Sequence, residues 1–357
     1  MKFKHIVFII YFFSSINILK SQSIYSKLNI QNQNLLFGSL DANFYSFNSV
    51  NKKINWNFKT TDPIYSQAEI INDKIVFGDG NGVIYCISSN GKEIWKRNLG
   101  TYDAIVNKPI YFNDKIIVTS NVKFAFLDKN DGSIVHRFNA DSPITSPVSI
   151  TDNSIFFADN LGKIYKLNNE GVLTDTYQPT QKAIFGKIII DNKSLFFGSN
   201  DNFFYKYDLE QKYITFKIET DDWISSTPVN EENNIYFGND AGYFYCINKN
   251  NGNLVWKFKA LGSIRTEPLI INNKIIFGSD DKNLYILDKL NGKLTKKFTA
   301  NDAIKSSPIF LNKFIYFADN SGEIYQIDNN FKTIKKVFKN GNKNIESVKR
   351  IEPVKQK

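Results

Sequence analysis

Hydrophobic and polar residues recur along this chain with a period of 40 residues. The segment 235–247 is repeated as 275–287 and again as 315–327, with apolar residues at matching positions. One register position is aromatic at Phe37, Phe77, Phe157, Phe197, Phe237, Phe277 and Phe317, and Ile117 fills the remaining one. A tyrosine follows eight residues later at Tyr45, Tyr85, Tyr165, Tyr205, Tyr245, Tyr285 and Tyr325, with Ala125 as the exception. Eight such units fill residues 24 to 343, which overrides the usual expectation of two domains for this length.

Each unit has the pattern of four short strands. In the sixth unit we predict strands over 225–230, 234–238, 243–247 and 253–259. The Asn, Asp and Gly residues between them supply the positive φ that tight hairpins require. Helical periodicity is absent after residue 23. We therefore predict an all-β fold, an eight-bladed β-propeller of 40-residue four-stranded repeats, with the aromatic positions packed between blades.

Residues 1–23 have the layout of a secretory signal peptide. Lys2 and Lys4 precede the apolar stretch 6–18, and Ser21 and Ser23 place small residues at a cleavage site. The alternative is an uncleaved membrane anchor, although the apolar stretch of about 13 residues is shorter than the roughly 20 that span a bilayer. Because no cysteine lies near the cleavage point, we expect no lipid anchor. The sequence thus predicts an exported protein, periplasmic or extracellular, without a transmembrane span in the mature chain.

The formal charge of +10 lies outside residues 24–331. Residues 24–331 hold 33 bases and 33 acids, so the body of the chain is neutral. This balance argues against nucleic-acid binding as the function of the fold. The segment 340–357 is basic and lacks apolar periodicity, which predicts a flexible tail with at most a weak contact to an anionic surface. The predicted organisation is a leader at 1–23, a propeller at 24–339 and a basic tail at 340–357.

The repeat resembles that of the pyrroloquinoline-quinone (PQQ) quinoprotein propellers. Its clearest copy runs from Phe77-Gly78 through Tyr85 to Gly91 and Trp95, and a second runs from Phe237 to Trp256. The family includes the quinoprotein alcohol dehydrogenases and outer-membrane assembly proteins of the BamB type. The resemblance covers the whole body but loses the tryptophan in five units, which carry His136, Thr176, Phe216, Lys296 and Lys336. It implies the propeller fold, and it leaves the function open because such folds host enzymes and scaffolds alike.

The enzymes of this family imply PQQ, calcium, a catalytic aspartate and a vicinal pair of cysteines. This chain has only Cys86 and Cys246, which lie 160 residues apart, and almost no insertion that would build a cofactor site. Four blades separate the two cysteines, so we predict two free thiols. His136 takes an outer-strand position that holds Trp or Phe in other units, so we interpret it as a packing residue. We predict no catalytic, cofactor-binding or metal-binding residues.

The residues that break the repeat are the candidates for a partner contact. Trp223 alone is large at the position before the inner strand, where an exposed tryptophan would be an interface anchor; the alternative is that it caps its own blade. Two residues further on, the series Tyr25, Tyr65, Ile105, Thr145, Phe185, Ser225, Arg265 and Lys305 approaches the channel mouth. Arg265 and Lys305 form a small basic spot for an acidic loop of a partner, or else a solvated channel face.

The resemblance and the missing catalytic groups favour a non-catalytic protein-binding scaffold of the bacterial cell envelope, similar to BamB-type assembly factors. An envelope protein is the expected partner, and outer-membrane association follows from the same resemblance. Two alternatives stay open at this point. One is an exported PQQ-binding oxidoreductase, and the other is an extracellular module that recognises a saccharide or a protein. Blades one and eight are expected to close the ring by packing alone, unless the tail adds a strand.

Overall fold

The computed structural model describes residues 23–100, 103–339 and 348–350. The strands of the first four blades are β1 (Asn29–Gln31), β2 (Asn34–Gly38), β3 (Asn43–Asn48), β4 (Lys53–Lys59), β5 (Glu69–Ile71), β6 (Lys74–Gly78), β7 (Val83–Ser88), β8 (Glu93–Asn98), β9 (Ile110–Phe112), β10 (Lys115–Ser120), β11 (Lys123–Asp128), β12 (Ile134–Asn139), β13 (Ser149–Thr151), β14 (Ser154–Ala158), β15 (Ile164–Leu167) and β16 (Leu173–Tyr177). Those of the last four are β17 (Ile189–Asp191), β18 (Ser194–Gly198), β19 (Phe203–Asp208), β20 (Tyr213–Glu219), β21 (Val229–Glu231), β22 (Asn234–Gly238), β23 (Tyr243–Asn248), β24 (Leu254–Lys259), β25 (Leu269–Ile271), β26 (Lys274–Gly278), β27 (Asn283–Asp288), β28 (Leu294–Thr299), β29 (Ile309–Leu311), β30 (Phe314–Ala318), β31 (Glu323–Asp328), β32 (Thr333–Lys339) and β33 (Val348–Arg350).

The strands form eight antiparallel sheets, which are the blades of an eight-bladed β-propeller. In each sheet four consecutive strands lie side by side in chain order, from the innermost to the outermost. The described residues contain no helix. The fold predicted from the 40-residue period is therefore confirmed. The innermost strand is shorter than predicted, since β21 begins only at Val229, after Pro228, which has no N–H to donate to a ladder.

Aromatic rings stack between neighbouring blades, as the register predicted. Phe244 of blade six and Phe277 of blade seven lie parallel, with ring centroids 4.2 Å apart. Phe204 and Phe237 repeat this contact between blades five and six at 4.4 Å. The same pair recurs at two other interfaces, as Phe44 with Phe77 and Phe124 with Phe157. These four interfaces thus bury large rings at one depth, and this packing helps to hold the twisted sheets together.

A glycine at the end of the second strand permits this close packing. At Gly238 an added Cβ would lie 2.3 Å from Cγ2 of Ile264 in the next blade. Ile264 is fully buried there. The same contact joins Gly278 to Ile304. A glycine at this position therefore lets the backbone of one blade approach the aliphatic side chain of its neighbour.

The third blade departs from the register that the sequence predicted. Val118 pairs with Ala125 in the way that Phe77 pairs with Tyr85 in blade two. Only seven residues separate Val118 from Ala125, because the hairpin between β10 and β11 is one residue shorter. The prediction that Ile117 fills the aromatic register was wrong. Ile117 instead packs in the core shared with the following blade.

The shift also corrects the channel series. Ile105 is fully buried and packs against Gly78, as Ile64 packs against Gly38, so Ile105 does not line the channel. Val106 takes that place, with 45% of its side chain exposed. A one-residue insertion before β9 offsets the shorter hairpin, so the total length of the unit hid the change.

Blades one and eight close the ring through an apolar core. Phe37 of blade one meets Phe338 of blade eight with ring centroids 5.2 Å apart. Ser23 Oγ donates a hydrogen bond of 2.6 Å to the carbonyl of Asn320 across the same junction. The tail contributes the three-residue strand β33, which pairs antiparallel with β32. The sequence left such a strand open as an alternative, but β33 extends the outer edge of blade eight and does not pair with blade one.

Candidate functional site

The turns between second and third strands and the loops that enter each blade lie at one end of the channel. We call this end the loop face. Trp223 lies on it in the loop between β20 and β21, with 46% of its surface exposed. Its carbonyl accepts a 2.8 Å hydrogen bond from the amide of Asp240, and its amide donates one of 2.8 Å to Asp222 Oδ1. Both backbone groups are thus held while the indole faces solvent, which is the arrangement of a fixed contact residue.

Arg265 is connected to Trp223 through Asp240 and is held by two carboxylates. Its Nε and Nη2 donate to Asp240 at 2.9 to 3.2 Å, and its Nη1 donates to Asp280 at 2.7 Å. Burial alone would lower the pKa of Arg265, but the hydrogen bonds and charges of Asp240 and Asp280 outweigh it and raise the pKa. Two carboxylates therefore offset the positive charge of this guanidinium.

Lys305 completes the group from blade eight. Its Nζ lies over the ring of Tyr25, 5.2 Å from the centroid, in a cation–π contact. Burial raises the pKa of Asp280, and the charges of Lys305 and Arg265 oppose that rise. The structure thus brings all three sequence candidates into one group, the mouth cluster: Trp223, Asp240, Arg265, Asp280 and Lys305.

Sequence reasoning missed the two aspartates of the mouth cluster. Asp240 and Asp280 occupy a turn position that other blades fill with Leu40, Gly80, Asn160, Asn200 and Asn320. An acid appears there only in the two blades that flank Arg265. A comparison of charge across that register would have found the pair. The pair was hidden because aspartate is also common in hairpin turns.

The register tyrosines have a second role on the loop face. In seven blades the phenol donates a hydrogen bond to an aspartate, through the pairs Tyr45–Asp41, Tyr85–Asp79, Tyr165–Asp159, Tyr205–Asp201, Tyr245–Asp221, Tyr285–Asp281 and Tyr325–Asp319. The aspartate comes from three different sequence positions, four, six or 24 residues before the tyrosine. Its varying position explains why the sequence pattern showed packing but not this bond.

Replacement of Tyr325 by phenylalanine tests these bonds. The Tyr325 hydroxyl lies 2.9 Å from Asp319 Oδ2 and 2.8 Å from Glu323 Oε2 and shares its single proton between them, and both residues are at most 1% exposed. We expect Tyr325→Phe to lower the free energy of unfolding by about 1–3 kcal/mol, because buried acceptors lose a donor. Urea denaturation measures this. Tyr213→Phe, on an exposed outer strand, is the control and should change stability by less than about 0.5 kcal/mol. Equal losses in both variants would contradict a role for the bond.

The cysteines and the histidine are structural. Cys86 and Cys246 are free, fully buried thiols, in agreement with the prediction from blade spacing. Burial raises their pKa values to about 11 and about 12, which keeps both protonated at neutral pH. Nε2 of His136 lies 3.0 Å from the carbonyl oxygen of Gly171 in the next blade. Trp95 holds the equivalent place, where its indole donates to the carbonyl of Lys129.

We expect neither thiol to react with an aromatic disulfide reagent in the folded protein. A protonated, fully buried thiol lacks both the thiolate and the access that exchange requires. In about 6 M urea both thiols should react, which a colorimetric assay counts. Rapid reaction of a thiol without denaturant would contradict the buried state and indicate local opening.

A family model described as outer membrane protein assembly factor BamB matches residues 45–226 and 191–330, most of the chain. The chain belongs to this family. No curated protein matches the chain in sequence. Among the residues that the structure describes, none form a helix with the length and apolarity for a membrane crossing.

Solved structures show the same fold for other members and for more distant proteins. BamB from Moraxella catarrhalis is 16% identical, with 86% of this chain and 97% of that chain covered and a TM-score of 0.73. The computationally designed Ika8 protein is 13% identical, with 86% and 96% covered and a TM-score of 0.73. A europium-containing methanol dehydrogenase is 12% identical, with 86% and 83% covered and a TM-score of 0.71. At these identities the likeness establishes the fold alone.

The described residues of this BamB-family chain do not bring together a carboxylate cluster for the calcium that accompanies PQQ in the quinoprotein dehydrogenases. Calcium requires several oxygen ligands around one point. Within the described ranges no group of three or more His, Cys, Asp or Glu is placed to hold a metal ion. The two carboxylates of the mouth cluster, Asp240 and Asp280, form ion pairs with Arg265. Both carboxylates therefore already bind the guanidinium of Arg265.

Proposed function

We propose that this protein is a non-catalytic binding scaffold of the bacterial cell envelope that acts in outer-membrane protein assembly. The observation that carries the proposal is the match of the BamB family model across most of the propeller. The predicted leader at 1–23 supports export, and the family description supports a place at the outer membrane. The mechanism is rigid display of loop-face residues to a protein partner.

The geometry of the loop face supports this mechanism. Asp240 holds the backbone of Trp223 through its amide, and it also binds Arg265 through its carboxylate. Because these bonds fix the loops before a partner arrives, binding costs little further ordering entropy. A fixed, half-exposed tryptophan supplies a large apolar contact. Tryptophan is among the residue types most enriched at interface anchors.

In-cell photocrosslinking tests the proposal. A photoreactive amino acid at position 223 should yield a crosslink to a component of the outer-membrane barrel-assembly machinery, identified by mass spectrometry. The same residue at position 50 is the matched control, since Val50 is 64% exposed in the β3–β4 turn at the opposite end of the channel. Envelope partners captured equally from both positions, or none from position 223, would contradict the proposal.

The alternative of a PQQ-binding oxidoreductase has a direct test. We expect saturating PQQ with calcium to leave the melting temperature of the full chain unchanged, because a ligand stabilises only the protein that binds it. A rise in melting temperature together with quinone absorbance on the protein would overturn the non-catalytic assignment.

A further inference from the structure

The neutral body of the propeller separates its charges between two faces. In blades six to eight, the loop-face turns and loop entries carry the unburied aspartates Asp221, Asp222, Asp240, Asp280, Asp281 and Asp302. Against them stand four bases, Arg265, Lys282, Lys305 and Lys259, whose Nζ reaches the carbonyl of Ala241 in the β22–β23 turn. Arg265 is bound to two of these aspartates, and Lys282 Nζ lies 3.9 Å from Asp302. The loop face of these blades therefore carries a negative excess.

The opposite end of the same blades has the reverse charge. Its turns, which join the first strand to the second and the third strand to the fourth, carry Lys249, Lys289, Lys293, Lys313 and Lys332. Glu232 is the acid among those turn residues. The charge at the loop face is thus a local property, since the sum over the body is zero.

Two exposed apolar side chains lie within the acidic region. Leu261 is 86% exposed in the loop between β24 and β25, next to the loop that holds Trp223. Asp240 joins the two loops, because its amide donates to the Trp223 carbonyl and its carbonyl accepts a 2.8 Å bond from Ser263 Oγ. The Leu261 amide donates to Asp281 Oδ2 at 2.9 Å. Both apolar side chains are therefore held on one hydrogen-bonded framework that carboxylates surround.

We propose that Trp223 and Leu261, with Asp222 beside Trp223 and Asp302 in the loop that enters blade eight, bind a protein segment that carries lysine or arginine beside an aliphatic or aromatic side chain. The apolar pair buries the partner's apolar group, and the carboxylates attract its cations. This inference rests on the proposed function and reverses the partner charge that the sequence suggested. Arg265 does not attract an acidic loop, because two carboxylates already offset it. The negative excess likewise repels anionic lipid, which favours a protein over a membrane surface.

Two synthetic peptides of about 15 residues test the charge sign. They share leucine and tryptophan positions, and one carries lysine where the other carries glutamate. We expect the lysine peptide to bind the full chain at about 50 mM salt, at least roughly 10-fold more tightly than the glutamate peptide, and to weaken at about 300 mM. Isothermal titration calorimetry measures both. Vesicles of phosphatidylglycerol and phosphatidylcholine provide the membrane comparison, and we expect no binding to them.

Matched variants locate the contact. Asp222→Asn combined with Asp302→Asn keeps the side-chain Oδ1 atoms that accept hydrogen bonds from the amides of Trp223 and Ala303. It should weaken binding of the lysine peptide by about 3- to 10-fold. Leu261→Ser should weaken it by a similar factor, whereas Leu290→Ser, 71% exposed in the β27–β28 turn, should not. Preference for the glutamate peptide, binding to anionic vesicles, or no effect of the double aspartate variant would overturn the inference. A partner that crosslinks to position 223 but binds independently of salt and of these two aspartates would refute this inference and leave the proposed function standing.

Discussion

Phe277→Ala should lower the free energy of unfolding by about 3–5 kcal/mol, measured by urea denaturation. Phe277 is fully buried and lies parallel to Phe244 of the preceding blade at 4.2 Å, with Tyr285 stacked on it at 5.5 Å. Its removal opens a cavity at an interface between two twisted sheets, which cannot collapse without moving a whole blade. The loss in free energy of unfolding should therefore lie at the high end of what is typical for truncation of a core residue.

Two variants separate this effect from the loss of any phenylalanine. Phe310→Ala removes a ring of the same size from β29, where 38% of it is exposed, and should cost less than about 1 kcal/mol. Phe277→Leu keeps most of the volume but loses the stacked geometry, so an intermediate loss is expected. If Phe277→Ala and Phe310→Ala had equal effects, the aromatic layer would not be what holds adjacent blades together.

The period of 40 residues was enough to predict the fold, because each unit repeats the same pattern of apolar residues that are buried between blades. It was not enough for the third blade, where an insertion before β9 and a shorter hairpin cancel in length. The pairing of Val118 with Ala125 and the burial of Ile105 reveal the change. Sequence spacing counts residues along the chain, whereas the buried face of a residue depends on how its strand pairs with the next. An insertion and a deletion that cancel in length are therefore visible only once the strands are paired.

The candidate site was predicted in part for a similar reason. Trp223, Arg265 and Lys305 were found because each breaks the repeat by size or by a positive charge. Asp240 and Asp280 were missed because aspartate is common in turns and was interpreted as turn chemistry. The neutral sum over the body also hid the separation of charge between the two faces. Net charge describes a total, and recognition depends on where each charge lies.

Arg265→Met should destabilise the protein by about 2–4 kcal/mol at about pH 7.5, because it leaves Asp240 and Asp280 without their cation. This is below the cost of breaking a fully buried pair, since 32% of the arginine side chain is exposed. Arg265→Lys keeps the charge without the paired hydrogen bonds and should lose less. Urea denaturation at several pH values measures the deficit of each variant.

The pH dependence distinguishes charge from packing in the same variant. Burial already raises the pKa of Asp280 in the wild type, and loss of Arg265 should raise it further. A carboxyl with a raised pKa in the folded state favours folding when protonated, below its unfolded pKa, and this contribution is lost as the pH rises through the folded pKa. The deficit of Arg265→Met should therefore shrink by at least about half between pH 7.5 and pH 4.5. A deficit independent of pH would mean that Arg265 contributes packing alone.

The same variant decides which charge the mouth cluster offers to a partner. If Arg265 and Lys305 act as a basic spot, Arg265→Met should weaken binding of a partner at the loop face. If the carboxylates dominate, the variant frees Asp240 and Asp280, and the lysine peptide should bind about 3- to 10-fold more tightly despite the lower stability. Peptide titration at about pH 7.5, under conditions in which the variant is folded, measures affinity separately from stability. If the Arg265 guanidinium serves to neutralise carboxylates within the fold, the variant should lose stability and gain affinity for the lysine peptide. A loss of both stability and affinity would instead make Arg265 itself the contact.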